Sequence, residues 1–218
     1  MKINEYIEHT LLAPNATNEK VENLIKEAQN NKFFGICINP SYIKFARNII
    51  DKGEFKPTLV TVVNFPLASN TLPVILAQTE LALADGAQEI DTVVNISELK
   101  NKNYAQVELE IKKTKEVCGK NNLKVILETD LLEKDEIKIA SEISANAGAN
   151  FVKTSTGFVK GGVGATVEDV KIMHEVVKTY NMGVKASGGI KTYTQAIALI
   201  EAGATRLGTS SGIEIMKG

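Results

Sequence analysis

Three segments of this chain repeat one transition. "GAQEIDTV" (86–93), "GANFVKTS" (148–155) and "GATRLGTS" (203–210) each pass from a Gly-Ala helix stop straight into an apolar run. Glycine ends a helix readily because it tolerates the left-handed conformation beyond the last carbonyls. A helix stop followed at once by a strand, several times over, points to alternating strand–helix units and a parallel sheet. The candidate strands are 9–13, 33–39, 58–64, 89–95, 123–129, 151–156, 183–187 and 205–210. They are short, and several are rich in Val, Ile and Thr, as parallel strands buried on both faces should be.

Helical patterns fill the gaps. In 18–31, Val21, Leu24, Ile25 and Ala28 fall on one face. The stretch 72–85 opens with Pro73 in its first turn and stops at Gly86. Further apolar stripes run through Val107, Ile111, Thr114 and Cys118, through Ile137, Ala140, Ser144 and Ala147, through Val170, Met173 and Val177, and through Ala196, Ile197 and Ile200. Eight strands without a break in composition predict an α/β fold, a single (β/α)8 TIM barrel domain over 1–218, with only "GIEIMKG" left for a brief last helix. An open doubly wound sheet is the competing arrangement, but no G-x-G-x-x-G follows the first strands.

A net charge of −1 gives no overall attraction to nucleic acid or to an anionic membrane, so any anion must be held locally. No run approaches the roughly 18 apolar residues of a membrane span, and "MKINEYIEHTLL" lacks the apolar core of a signal peptide. Cys37 and Cys118 are far apart and lack metal-ligand spacing, so they read as reduced thiols packed inside the fold, with the cytoplasm as the expected compartment. His9 and His174 are far apart, and neither is expected to have a nearby acidic or cysteine partner with which to build a metal site.

Two lysines interrupt the strands: Lys153 in "FVKTST" and Lys185 in "GVKAS". Their separation is about one βα unit, which sets them on neighbouring strands. Asp91, Lys153 and Gly208 each stand five residues after the glycine of their repeat, so Asp91 should share the depth of Lys153 two strands away. A buried lysine beside another cation is pushed toward its neutral, nucleophilic form. A carboxylate beside it can move protons. Thr154, Ser155 and Thr156 offer hydroxyls for water or substrate. The plainer alternatives are an edge-strand or snorkelling lysine, and an Asp91 that merely pairs with a lysine or a backbone N–H. The glycine turns "ASGGI" (186–190) and "GTSSG" (208–212), after the seventh and eighth strands, stand where a barrel commonly holds phosphate.

"FVKTSTGF", "VKASGGI", "GAQEIDTVVN", "KVILET" and "RLGTSSG", with "HTLLAPNAT", "FGICINPSYI" and "VTVVNFPLASN", closely resemble the deoxyribose-phosphate aldolase family over nearly the whole chain. The resemblance implies a metal-independent, cofactor-free class I aldolase. Its reaction would be the reversible cleavage of 2-deoxy-D-ribose 5-phosphate to D-glyceraldehyde 3-phosphate and acetaldehyde. It implies Lys153 as the Schiff-base lysine, Lys185 as the second lysine that tunes it, and Asp91 as proton donor and acceptor. Gly157, Gly188, Gly189, Ser210 and Ser211 would hold the phosphate, with Lys124 and Glu128 in support. Some members carry a lysine directly after "STG"; here Phe158 stands there, which leaves Lys160 as the substitute cation. With "GTSSG" so near the end, no C-terminal tail of the kind that reaches the site in longer members is expected. The family also suggests a homodimer through the outer helices. The competing functions are an aldolase or transaldolase for another phosphorylated sugar, and a non-catalytic sugar-phosphate-binding barrel.

Overall fold

The computed structural model describes residues 1–218. Eight parallel strands close into one barrel in chain order: β1 (Ile7–Leu11), β2 (Gly35–Ile38), β3 (Thr58–Val63), β4 (Glu89–Val93), β5 (Asn122–Ile126), β6 (Phe151–Lys153), β7 (Gly183–Ser187) and β8 (Arg206–Thr209). Around it run α1 (Asn18–Asn31), α2 (Ile43–Ile50), α3 (Leu72–Ala84), α4 (Ile96–Lys100), α5 (Tyr104–Cys118), α6 (Lys134–Asn146), α7 (Val167–Val177), α8 (Tyr193–Glu201) and the short α9 (Gly212–Met216). The (β/α)8 architecture stands, and α2 and α4 add to the helices the sequence reading named. No helix is long and apolar enough to cross a membrane.

Local chemistry explains the boundaries. Thr17, Thr166 and Thr192 cap α1, α7 and α8 by accepting a backbone N–H of the first turn. The three repeat glycines, Gly86, Gly148 and Gly203, have φ of 109°, 82° and 114°, and each turns the chain from a helix toward the next strand. β1 starts two residues earlier than expected, at Ile7. β6 stops at Lys153, three residues short of its expected end. There the Thr154 hydroxyl accepts from Ser187 N (3.0 Å) and donates to Ser187 O (2.9 Å), so a side chain takes over from the backbone ladder.

The two faces of the barrel wall differ in kind. Outward residues such as Ile7, Ile36, Ile38, Leu59, Ile90, Leu123, Val125, Val152, Val184 and Leu207 join the inner faces of the helices in one apolar core. Inward residues include Cys37, Val60 and Val62, but also a group of charged side chains. The register supports the expectation of shared depth. Asp91 pairs with Lys124, which pairs with Phe151, two residues before Lys153; Lys153 pairs with Lys185, which pairs with Arg206, two residues before Gly208. A step of about one residue per strand is the stagger of a closed eight-stranded barrel, so the offset restores equal height along its axis.

Gly35 shows how tight the wall is, since an added Cβ would lie 2.6 Å from the Thr58 carbonyl oxygen of β3. Gly35→Ala should cost about 1–3 kcal/mol. Thermal unfolding should register that as a loss of roughly 2–4 °C per kcal/mol for a chain of this size.

Candidate active site

Lys153 and Lys185 are direct register partners on β6 and β7. Both ammonium groups reach the same oxygen: Asp91 Oδ2 accepts from Lys153 Nζ (2.9 Å) and Lys185 Nζ (2.7 Å). Asp91 Oδ1 accepts from Lys124 Nζ (3.1 Å). The expected trio therefore does converge, with one correction: a carboxylate sits against both amines, so Lys153 faces an ion pair rather than a bare second cation. Lys124 also belongs to this buried group.

Three members were not foreseen. Lys185 also donates to Glu8. Lys124 reaches Glu8 at 3.3 Å and Glu89 at 2.5 Å. The Arg206 guanidinium reaches Glu8 at 3.0 Å and Glu89 at 3.6 Å, and its central carbon lies 3.2 Å from the centroid of the Phe34 ring. The signals were period-two alternation: Glu89 stands two residues before Asp91, and Arg206 two before Gly208. Glu8 fell outside the strand as first bounded.

Four basic and three acidic side chains thus share the barrel interior, all buried. Burial is the largest influence on Asp91 and opposes its charge, but Lys124, Lys153 and Lys185 outweigh it and hold the carboxyl well below the usual range. Glu8 is likewise lowered, with burial overcome by Lys124 and Lys185. For Lys185, burial works against the ammonium, yet Asp91 and Glu8 prevail and raise its pKa. Lys124 is raised in the same way, by Asp91 and Glu8 against burial.

A cavity of about 450 Å³ opens at the C-terminal end of the strands. Of the seven charged residues, only Lys153 lines it. Gly157, Gly188, Gly189, Ser210 and Ser211, the residues the resemblance gives to phosphate, all line it too, and Phe158 forms part of the wall, edge-on to Phe65. Lys160 does not line the cavity, whereas Lys191, unremarked in the sequence, does. Thr154 is committed to Ser187 and does not line the cavity. Glu128 is not on the β5 face that carries Lys124: it lies beyond the strand with φ of 60°. From there its carboxylate accepts from Thr156 N (3.0 Å) and from the Thr156 hydroxyl. Burial raises its pKa against those hydrogen bonds.

His9 does have an acidic partner, contrary to expectation. It points out of the barrel to Glu27 on α1, with Nε2 to Oε2 at 2.7 Å. Glu8, Asp91 and the Cys37 sulfur place ligand atoms within 4.8 Å of one another. Burial pushes the Cys37 thiol up to about 11, and both carboxylates are already paired with ammonium groups, so a metal ion would have to displace those cations.

Residues 5–218 match the model of the DeoC/LacD family aldolases. The chain belongs to this family. A deoxyribose-phosphate aldolase of Streptococcus gordonii is 48% identical over all 218 residues and 97% of its own length. One from Brevibacillus brevis is 44% identical over the same residues and 96% of its length. Among solved structures, a putative deoxyribose-phosphate aldolase from Coccidioides immitis superposes with a TM-score of 0.95 at 34% identity, covering 99% of this chain and 85% of that one. The Aeropyrum pernix deoxyribose phosphate aldolase, described as tetrameric, gives 0.89 at 32% identity, covering 99% and 89%. The protein is an aldolase.

This network sets the pH range over which the aldolase is stable. Asp91 and Glu8 have lowered folded pKa values, so their contribution is full above their ordinary values of 3.8 and 4.5 and fades as pH falls through the depressed ones. Lys124 and Lys185 are raised, so theirs is full below 10.5 and fades as pH rises through the folded values. Denaturant unfolding should therefore find stability falling on the acid side of about 4.5 and on the alkaline side of 10.5. Asp91→Asn, which removes the negative charge shared by three amines and one of its two acceptor oxygens, should cost about 3–5 kcal/mol at neutral pH.

Proposed function

We propose that this aldolase reversibly cleaves 2-deoxy-D-ribose 5-phosphate to D-glyceraldehyde 3-phosphate and acetaldehyde through a Schiff base on Lys153. One observation carries the reading: Lys153 is the only amine of the buried network that opens on the cavity, and glycine turns and serines rim that cavity on the same side. The relatives' names support the substrate.

With four basic and three acidic groups, the network reaches zero net charge when one amine gives up its proton. A neutral Lys153 amine adds to C1 of the open-chain sugar, and loss of water leaves an iminium. Removal of the C3 hydroxyl proton lets the C2–C3 bond break. Its electron pair moves into the iminium, giving an enamine on Lys153 and the aldehyde of glyceraldehyde 3-phosphate. Protonation at C2 and addition of water release acetaldehyde and the free amine. Asp91 Oδ2, which touches both lysines, links Lys153 to a Lys185 that the network holds protonated, and a proton passes between them along that link. The phosphate lies against Gly157, Gly188, Gly189, Ser210 and Ser211, with the Lys191 amine at the rim.

Lys153→Ala should cut cleavage of 2-deoxyribose 5-phosphate by about 10⁴-fold or more while leaving the circular dichroism spectrum unchanged. Near-normal turnover in that variant would remove Lys153 from the chemistry. A wild-type enzyme that cleaves other phosphorylated sugars faster than this one would keep the lysine and replace the substrate.

A further inference from the structure

The segment between β6 and α7 carries part of the cavity wall, and two carboxylates from the β5–α6 connection clasp it. Glu128 takes its start at Thr156. Asp130, two residues on, takes its end: Oδ1 accepts from Val163 N (2.8 Å) and Oδ2 from Gly164 N (2.9 Å). What Asp130 holds is pressed onto the phosphate turn without any side chain between. Ala165 N donates to Gly188 O (3.1 Å). A Cβ on Gly164 would lie 2.4 Å from the Gly188 carbonyl, and one on Gly189 would lie 2.6 Å from Val163 O. Two segments in direct backbone contact move together, so the carboxylate that fixes one also fixes the other.

We infer that Asp130 is a positioning residue for phosphate recognition, acting through Val163–Ala165 on the Gly188–Gly189 turn. The inference rests on the proposed placement of the phosphate. Asp130 does not line the cavity, and its carboxylate bonds to Val163 N and Gly164 N rather than to any amine of the buried network, so its effect should be confined to the phosphorylated end of the substrate. The loop offers an independent handle on the same contact: a Cβ on Gly162 would lie 2.7 Å from Asp130 Oδ2, so Gly162→Ala pushes the carboxylate aside from the opposite segment.

The test is steady-state kinetics on 2-deoxyribose 5-phosphate and on unphosphorylated 2-deoxyribose. It compares the wild type, Asp130→Asn, Gly162→Ala and the double variant. In Asp130→Asn the amide N–H₂ faces a backbone N–H, so one of the two clasping bonds is lost. Each single variant should raise KM for the phosphorylated sugar about tenfold with kcat held, and leave kcat/KM for 2-deoxyribose within about twofold. The double variant should be no worse than the weaker single, because both changes break one contact. Equal losses on both substrates, no loss on either, or multiplied losses in the double variant would each overturn the inference. A wild type without preference for the phosphorylated sugar would instead remove the phosphate reading, and the inference with it. If one single variant fails to fold, the other still decides.

Discussion

The structure depends on a single carboxylate shared among three amines. Asp91 accepts from Lys124 on one oxygen and from Lys153 and Lys185 on the other, inside a barrel that excludes water. No one of these lysines could stay charged at that depth alone. Glu8, Glu89 and Arg206 extend the arrangement toward the N-terminal end of the strands, so the interior is a continuous column of paired charges ending in one amine at the cavity. Such a column does little for net stability, since an apolar filling of equal volume would serve as well or better. What it does fix is geometry, since Asp91 holds the Lys153 amine, the one member of the column that lines the cavity.

The rest of the fold makes that column affordable. The apolar core lies outside the wall, between strands and helices, and supplies the hydrophobic burial that the charged interior cannot. The barrel's stagger brings side chains from β4, β5, β6 and β7 to a common height, although they do not pair in one register row. Beyond the strand ends, side-chain hydrogen bonds replace the ladder: Thr154 with Ser187, and Glu128 with Thr156. The connections there hold the cavity's rim, while the strands hold its floor.

Much of this was legible in the sequence because two periods are simple. The Gly-Ala repeat gave the strand–helix alternation, and its constant five-residue spacing placed Asp91 and Lys153 at one depth, which the register supports. Lys185 followed from the distance of one βα unit. The misses have physical causes. Glu8 was lost because β1 was started too late, and in a strand a shift in the boundary decides which side chains count as inward. Arg206 lay inside the expected strand 205–210 but was given no role there; its guanidinium stacks over Phe34 and pairs with Glu8, contacts that sequence spacing does not reveal. Lys160 looked like the cation for the phosphate by sequence proximity, but the loop carries it away from the cavity that Lys191 lines. Strand contents follow from pattern; which loop residue meets the cavity follows from tertiary contacts between loops.

The central claim is that Lys153 is the amine that bonds to carbon. Its most direct test is to incubate the enzyme with acetaldehyde, reduce with sodium borohydride, and map the modified peptide by mass. A stable two-carbon adduct on Lys153 is the result the proposed mechanism predicts. An adduct on Lys185, or none on folded protein, would contradict it.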